Sequence, residues 1–236
     1  MKIAVVVPFY NESKNLKFFM NEWNKYLRIF DKMKIKLDFF FFDDGSSDDS
    51  TEIIKKKSKK IKFQIIHKKN SGHGDTCRYG YNLIIKKYKY FDYILQIDSD
   101  NQCDPKYLIK ICQIINKKNY EFIFGYRSRR QDGFVRIILS RILSLTIFLK
   151  KFIFIPDLNT PYRIMKLEYL KKIMSKIEYI SKYKNIELFN CVLSYCIQKD
   201  YNINWININF RNRYYGNTKY NFNTMFKMYL NLLLKI

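Results

Sequence analysis

Asp98 and Asp100 flank a single serine just after the apolar run Tyr93–Ile97. Two carboxylates so placed can share an oxygen-ligated divalent cation, Mg²⁺ or Mn²⁺, which in turn neutralises a diphosphate. Gln102 can add a ligand oxygen. A D-x-D alone is also what a solvated turn or a helix cap looks like. Here two further acidic clusters occupy matching places, which favours the metal reading. Glu12 follows Pro8-Phe9-Tyr10-Asn11, and Asp43-Asp44 close the apolar run Leu37–Phe42. Asp43 and Asp44 can pair with a base or ribose, or serve turn and capping chemistry. Glu12 can contact a nucleoside, or simply favour a helix N-terminus.

These clusters need elements to position them. Ile3–Val7 is a continuous apolar run ending at Pro8, the pattern of a buried parallel strand. Leu16, Phe19, Met20, Trp23, Leu27 and Phe30 then recur at helical spacing. Leu37–Phe42 predicts a second strand, and Ser47 a helix N-cap followed by Asp48, Asp49 and Glu52. Phe63–Ile66, Tyr93–Ile97 and Glu121–Phe124 predict three more strands. A helix ending near Lys87 and one opened by Pro105 separate them. The rhythm predicts an α/β fold with a mostly parallel central sheet and helices on both faces. Ligands of such sheets bind outside the carboxyl ends of the strands, so the three acidic clusters should converge on one crevice. The second half carries an apolar stripe at Val135, Ile138, Leu139, Ile142, Leu145 and Leu149. A short strand near Tyr162–Met165, a helix near Asn185–Lys199, a strand at Ile203–Ile208 and a closing amphipathic helix Phe222–Leu234 follow.

Composition narrows the class. The chain has 236 residues, 47% hydrophobic, with 44 basic and 21 acidic side chains and a formal charge of +23. That fits one large domain with ample core. Seven Gly and four Pro exclude collagen-like and linker-dominated chains. A basic surface suits an anionic partner, although the abundance of Lys, Asn, Ile, Tyr and Phe is also what an AT-rich genome produces. Five cysteines without a CxxC pair read as reduced intracellular thiols with no zinc site. The strand-like run at Ile3–Val7 leads to the expectation of no secretory signal, and with no uncharged apolar run of bilayer length no transmembrane helix is expected.

The motifs also form a recognisable series. Val5-Val6-Val7-Pro8-Phe9-Tyr10-Asn11-Glu12 resembles the opening of family 2 glycosyltransferases with the GT-A (nucleotide-diphospho-sugar transferase) fold. Asp43-Asp44-Gly45-Ser46-Ser47-Asp48 resembles their second signature, and Asn70-Ser71-Gly72-His73-Gly74 their glycine-containing turn. Asp98-Ser99-Asp100-Asn101-Gln102-Cys103-Asp104-Pro105 resembles the D-x-D-x-Q-x-x-P segment of the dolichyl- or polyprenyl-phosphate sugar transferase branch. Gly125-Tyr126-Arg127, Asp157-Leu158-Asn159-Thr160-Pro161-Tyr162-Arg163 and Arg213-Tyr214-Tyr215-Gly216-Asn217-Thr218-Lys219 continue that branch in order.

The resemblance implies a single GT-A domain over 1–236. Residues 1–125 would bind a UDP- or GDP-linked sugar, and 126–236 would bind the acceptor. It implies Pro8, Tyr10, Glu12, Asp43 and Asp44 as nucleoside contacts, and Asp98, Asp100 and Gln102 as the Mg²⁺ or Mn²⁺ and diphosphate site. Arg127 and Arg136 would be acceptor-phosphate contacts, and Arg213 and Lys219 charge partners of the leaving diphosphate. The expected reaction is an inverting transfer to a polyprenyl phosphate. The alternative is transfer to a glycan hydroxyl in surface polysaccharide synthesis. A phosphate acceptor is already a nucleophile, whereas a hydroxyl needs a base, for which Asp157 and Glu187 are the candidates. Either can instead form a structural ion pair with an arginine. Thr160-Pro161 departs from the family's small Ser-Gly pair and changes that turn's backbone.

Arg127–Ile155 combines seven basic residues, one acid (Asp132) and the apolar stripe. That suits a helix lying in a membrane interface, with the closing helix adding Met225, Phe226, Tyr229, Leu232 and Leu233; both stripes can equally pack inside. The expectation is peripheral attachment to the cytoplasmic face of a membrane. A nucleic-acid-binding module would account for +23 but not for three acidic strand ends, so no nucleic-acid partner is expected.

Overall fold

The computed structural model describes residues 1–58, 60–129, 134–179, 188–216 and 222–235. The elements run β1 (Lys2–Phe9), α1 (Ser13–Lys32), β2 (Lys36–Asp43), α2 (Ser50–Lys57), β3 (Lys62–His67), α3 (His73–Lys87), β4 (Tyr93–Ile97) and α4 (Lys106–Lys117). They continue with β5 (Phe122–Arg129), α5 (Phe134–Lys151), β6 (Tyr162–Lys166), α6 (Leu167–Tyr179), α7 (Phe189–Asp200), β7 (Asn204–Asn209) and α8 (Phe222–Lys235). The strands form one sheet in the order β3-β2-β1-β4-β6-β5-β7. Every neighbouring pair is parallel except the two made by β6, which runs antiparallel between β4 and β5.

Both faces of the sheet are covered, which explains its unbroken apolar runs. Ala4 and Val6 of β1 and Phe40 and Phe42 of β2 point to one core with Cys77, Tyr81 and Ile84 of α3. Val5, Val7, Phe39 and Phe41 point to the other, with Leu16, Phe19, Met20 and Trp23 of α1 and Leu108 and Ile111 of α4. Each Val, Leu, Ile, Phe or Met side chain among them contributes about 1.5–3 kcal/mol on burial. At Gly80 of α3 a Cβ would sit 3.0 Å from both Phe42 and Val6, so the missing side chain is what lets that helix lie so close to the sheet.

Three details differ from the sequence reading. Helix α6 was not anticipated, although Leu167, Leu170, Ile173, Met174 and Ile177 bury one face of it. Helix α2 starts at Ser50 after Asp49, not after Ser47, because the Ser47 backbone is tied to the Asn11 side chain instead. Helix α5 is apolar on two faces. Leu139, Leu143 and Ile147 face inward, and Leu143 and Ile147 join Met228 and Leu232 of α8 in one core. Most of the expected stripe faces outward: Ile138, Ile142, Leu145 and Leu149 are 38%, 53%, 57% and 66% exposed. No helix among the described residues is long and apolar enough to cross a membrane.

Candidate active site

The first two motif loops hold each other in place. Asn11 adopts a left-handed backbone (φ 53) just past β1, which lets its side chain reach the loop after β2. Its N–H donates to Ser46 Oγ (3.0 Å), and its Oδ1 accepts from the Ser47 N–H (2.8 Å). The Glu12 N–H donates to Ser50 Oγ (2.9 Å) and the Ser13 N–H to Asp48 Oδ2 (3.0 Å). Asp44 organises the third loop. Its Oδ1 accepts from Lys68 Nζ (2.7 Å) and the Ser71 N–H (2.9 Å), and its Oδ2 from the Gly72 N–H (2.9 Å).

These loops wall one side of a cleft of about 660 Å³ at the carboxyl ends of β1, β2 and β4. Pro8, Tyr10, Glu12, Asp44, Asp98, Asp100, Gln102, Arg127 and Arg213 line it, so the predicted acidic strand ends do converge. Asp43 is not among the lining residues: it is buried, bonded to the Ser46 N–H (2.8 Å) and to His67 Nδ1 (2.9 Å). These bonds are the turn chemistry that was one of the two roles read for Asp43 from the sequence. Lys219 and Glu187 lie outside the described residues, as does the side chain of Arg136.

Asp98 and Asp100 meet at the centre. Asp98 Oδ1 lies 2.9 Å from His73 Nε2 and accepts from Gln96 Nε2 (2.8 Å). Burial opposes its charge, but His73, Arg163 and Arg127 hold its carboxyl below the usual range. Asp100 is pushed up to about 7, first by burial and then by the adjacent Asp98 charge. Two carboxylates crowded this way fit a hard divalent cation, which would remove the repulsion. Among the described residues no group of three or more His, Cys, Asp or Glu is placed to hold a metal alone. Two carboxylates completed by substrate phosphate and water are what Mg²⁺-like ions commonly use.

A strap of residues 210–216 crosses the cleft mouth. Gln102 Nε2 donates to the Arg211 carbonyl (2.7 Å) and the Arg211 N–H to the Gln102 carbonyl (3.0 Å). The side-chain amide expected to help ligate metal therefore anchors the strap through its nitrogen. Arg211 pairs with Glu22 and Asp104, and Arg213 with Glu12. The Tyr215 backbone exchanges two hydrogen bonds with the Asn15 side chain, and Tyr214 stacks on Phe18 with centroids 5.0 Å apart.

The rest of the lining is largely basic and apolar. Arg127 Nε and Nη2 each donate to Asp157 at 2.7 Å, and Nη2 also reaches the Asn159 carbonyl (3.1 Å). Asp157 is buried, does not line the cleft, and spends both oxygens on Arg127. This is the structural ion pair with an arginine that stood beside the base as an expected role for Asp157. Leu188, Phe210, Met228 and Tyr229 are apolar members of the lining, which also includes the buried Arg163 and Thr160. Sequence reasoning gave no role to His73, Gln96 or Arg163. Gln96 and Arg163 carry a signal, since each is a polar residue inside an otherwise apolar strand.

Comparisons place this geometry among known proteins. The model of the family described as glycosyl transferase family 2 matches residues 4–174. An uncharacterised protein of Methanocaldococcus jannaschii is 31% identical over 179 residues, 72% of this chain and 73% of its own. Among solved structures, glucosyl-3-phosphoglycerate synthase of Mycobacterium tuberculosis with Mn²⁺ and UDP-glucose superposes with a TM-score of 0.62 at 12% identity, covering 99% of this chain and 78% of that one. Mannosyl-3-phosphoglycerate synthase of Rubrobacter xylanophilus gives 0.63 at 12%, covering 100% and 72%. TarS 1–349 of S. aureus with UDP-GlcNAc gives 0.59 at 19%, covering 100% and 66%. These likenesses establish the GT-A fold.

Proposed function

The chain belongs to glycosyl transferase family 2, and we propose that it moves a sugar, with inversion, from a nucleotide-sugar donor to a polyprenyl phosphate at a membrane surface. One observation carries the choice of acceptor. The lining of the cleft joins Arg127 to the apolar Leu188, Phe210, Met228 and Tyr229. Met228 and Tyr229 belong to α8, which packs on α5, and α5 turns an apolar stripe to the outside. An anionic head with an apolar tail matches that sequence of surfaces.

The donor half is 1–125 and the acceptor half 126–236. Pro8, Tyr10 and Glu12 frame the nucleoside, with Asp44 holding the loop beside it. Asp98 and Asp100 would hold Mg²⁺ or Mn²⁺, which when bound supplies positive charge to the donor diphosphate. Arg213 lies across the mouth, and in releasing Glu12 it can turn to the leaving diphosphate. Lys219 continues the same segment. Arg127, with Arg136 beyond it, meets the acceptor phosphate. A phosphate oxygen is nucleophilic without a base, and the commitment of Asp157 to Arg127 is consistent with that. A glycan hydroxyl acceptor would instead need a base, and with Asp157 committed to Arg127 that role falls to Glu187. The location that follows is peripheral, on the cytoplasmic face.

The test offers purified protein a panel of UDP- and GDP-linked sugars with Mn²⁺ or Mg²⁺, with and without a short polyprenyl phosphate, and reads released nucleoside diphosphate. Release that rises with the lipid phosphate supports the reading. Release indifferent to it points to a glycan acceptor. No donor binding at all overturns both.

A further inference from the structure

Three cations around the cleft grip an acid directly. Arg213 pairs with Glu12, Lys68 with Asp44, and Arg127 with both oxygens of Asp157. Arg163 does not. It lies on β6 with 0% exposure, and the strand register sets it opposite Gln96 of β4, also 0% exposed. Strand alternation puts both on the face that α3 covers, where Ile94 and Met165 pack with Cys77 and Tyr81. The guanidinium lies over the Phe124 ring (5.6 Å), and its Nη1 donates to Gln96 Oε1 (2.6 Å). Among the described residues no carboxylate pairs with it, and its Nε and Nη2 have no hydrogen-bond partner. Gln96 Nε2 in turn donates to Asp98 Oδ1 (2.8 Å). A guanidinium cannot shed its charge in a protein, and an apolar pair would fill this space at lower cost. What the polar pair achieves is therefore to be found at Asp98.

Chemistry forces the orientation of the Gln96 amide. A guanidinium offers only donors, so the amide oxygen must face it and the amide nitrogen must face the carboxylate. The arginine's anchoring thus reaches Asp98 as a single N–H bond. A direct fork would occupy both carboxylate oxygens, as Arg127 does at Asp157. At Asp98 only Oδ1 is engaged, by Gln96 and by His73 Nε2 at 2.9 Å, and Oδ2 has no hydrogen-bond partner among the described residues. The side chain keeps 28% exposure and lines the cleft. Asp100 is left in the same state: its Oδ1 accepts from the Gln102 N–H (3.1 Å), and its Oδ2 has no such partner. Each carboxylate keeps one oxygen for a cation. We propose that Arg163, acting through Gln96, is a positioning residue that holds Asp98 Oδ1 inward and so presents Oδ2 to the divalent cation of the donor site. The inference rests on the glycosyltransferase reading and adds two positioning residues to it. It accounts both for the depth of the arginine and for the glutamine between it and the acid.

The test is Mn²⁺ binding, with free Mn²⁺ read by electron paramagnetic resonance in the presence of UDP, and it needs no turnover. The double variant Gln96→Met/Arg163→Met replaces the polar pair by an apolar one, so the ligand-free protein keeps or raises its unfolding midpoint. Its Mn²⁺ affinity falls by about 10- to 100-fold, as when the hydrogen-bond partner of a metal ligand is lost. Its UDP affinity without metal, measured by calorimetry, stays within about threefold of the parent. Arg163→Lys keeps a charge and one donor for Gln96 Oε1, the single hydrogen bond Arg163 makes, and holds Mn²⁺ affinity within about threefold. Mn²⁺ affinity unchanged in the double variant overturns the proposal, as does a loss as large in Arg163→Lys. A double variant that loses metal-free UDP binding in equal measure has a disturbed cleft, and that also overturns it. A parent chain that binds UDP but no Mn²⁺ overturns it and leaves the donor reading standing, whereas one that binds neither overturns both. Should the double variant not fold, Gln96→Asn keeps an amide one carbon too short to span both partners. Its Mn²⁺ affinity then falls with metal-free UDP binding retained, and an unchanged Mn²⁺ affinity overturns the proposal.

Discussion

Asp157→Asn separates a base from a positioning carboxylate more cleanly than any other substitution. Asp157 and Arg127 are 4% and 9% exposed, and two 2.7 Å bonds join them in a fork. An asparagine keeps the shape but offers one acceptor oxygen to two N–H groups, and its amide nitrogen must abut the other donor. The Arg127 charge is then buried without its counter-charge. Breaking a buried pair in this way costs about 3–5 kcal/mol. At about 2–4 °C per kcal/mol for a chain of this size, the midpoint should fall by roughly 6–20 °C. The assay is thermal and denaturant unfolding, run beside steady-state kinetics. The acceptor KM should rise because Arg127 loses its orientation, while donor hydrolysis without acceptor persists. The double variant Arg127→Met/Asp157→Leu should recover most of the lost stability, since an apolar pair of similar volume replaces both charges. A base would behave in reverse: stability kept, and kcat down by about 10²–10⁴. Asp157→Asn with a midpoint within 2 °C of the parent and a collapsed kcat would refute the positioning argument.

The remaining predictions concern the metal pair, α5 and the strap. Asp100→Asn should abolish metal-dependent donor turnover yet leave the unfolding midpoint unchanged or higher, because it removes a carboxyl that burial and Asp98 hold up at about 7; a lower midpoint with turnover intact would contradict the crowded-pair account. Leu143→Ala should cost about 2–5 kcal/mol in denaturant unfolding, whereas Leu145→Ala, one turn face away, should stay within about 0.5 kcal/mol. Asn15→Ala cuts both hydrogen bonds to Tyr215 and should speed proteolysis of the strap at Arg211 or Arg213; an unchanged cleavage rate would mean that Arg213 and the tyrosine stack hold it alone.

The donor half was legible because it repeats one local rule. An apolar run ends, a polar cluster follows, and parallel pairing brings every such cluster to the same edge. Asp98, Asp100, Glu12 and Asp44 reach the cleft for that reason. The acceptor half depends on pairings that no local window contains. That β6 runs antiparallel between β4 and β5 decides that Arg163 faces Gln96, and neither residue reveals this by its spacing. Asp43 and Asp44 are adjacent and alike in sequence, yet strand alternation sends one behind the loop and the other to the wall. Helix α6 had readable periodicity in Leu167, Leu170, Ile173 and Ile177. In α5 periodicity was present twice, and only the docking of α8 selects which stripe is inside.

That choice leaves an outward face whose occupant the charge distribution helps to identify. Arg141, Lys150, Lys151 and Lys227 are exposed on α5 and α8, and residues 201–236 contain no acid. A second copy of the chain would bring these cations against their own kind. An anionic bilayer brings the opposite charge, worth about 1 kcal/mol per basic residue near its surface. The end of α5 makes a sharper argument. Phe152 takes a left-handed backbone (φ 55) at a position where helices usually place glycine, and its ring is 85% exposed. That backbone costs about 1–2 kcal/mol for a residue with a Cβ, and water returns nothing for it. Inserting the ring into a membrane interface contributes about 1.5–3 kcal/mol. Phe152→Gly should therefore change two measurements in opposite directions. Denaturant unfolding in water should become harder by about 1 kcal/mol. Partitioning onto vesicles rich in phosphatidylserine should weaken by about 10- to 100-fold. Vesicle binding that is absent in the parent chain, or unchanged in the variant while stability rises, would leave the exposed ring without a membrane role and return the outward stripe to self-association.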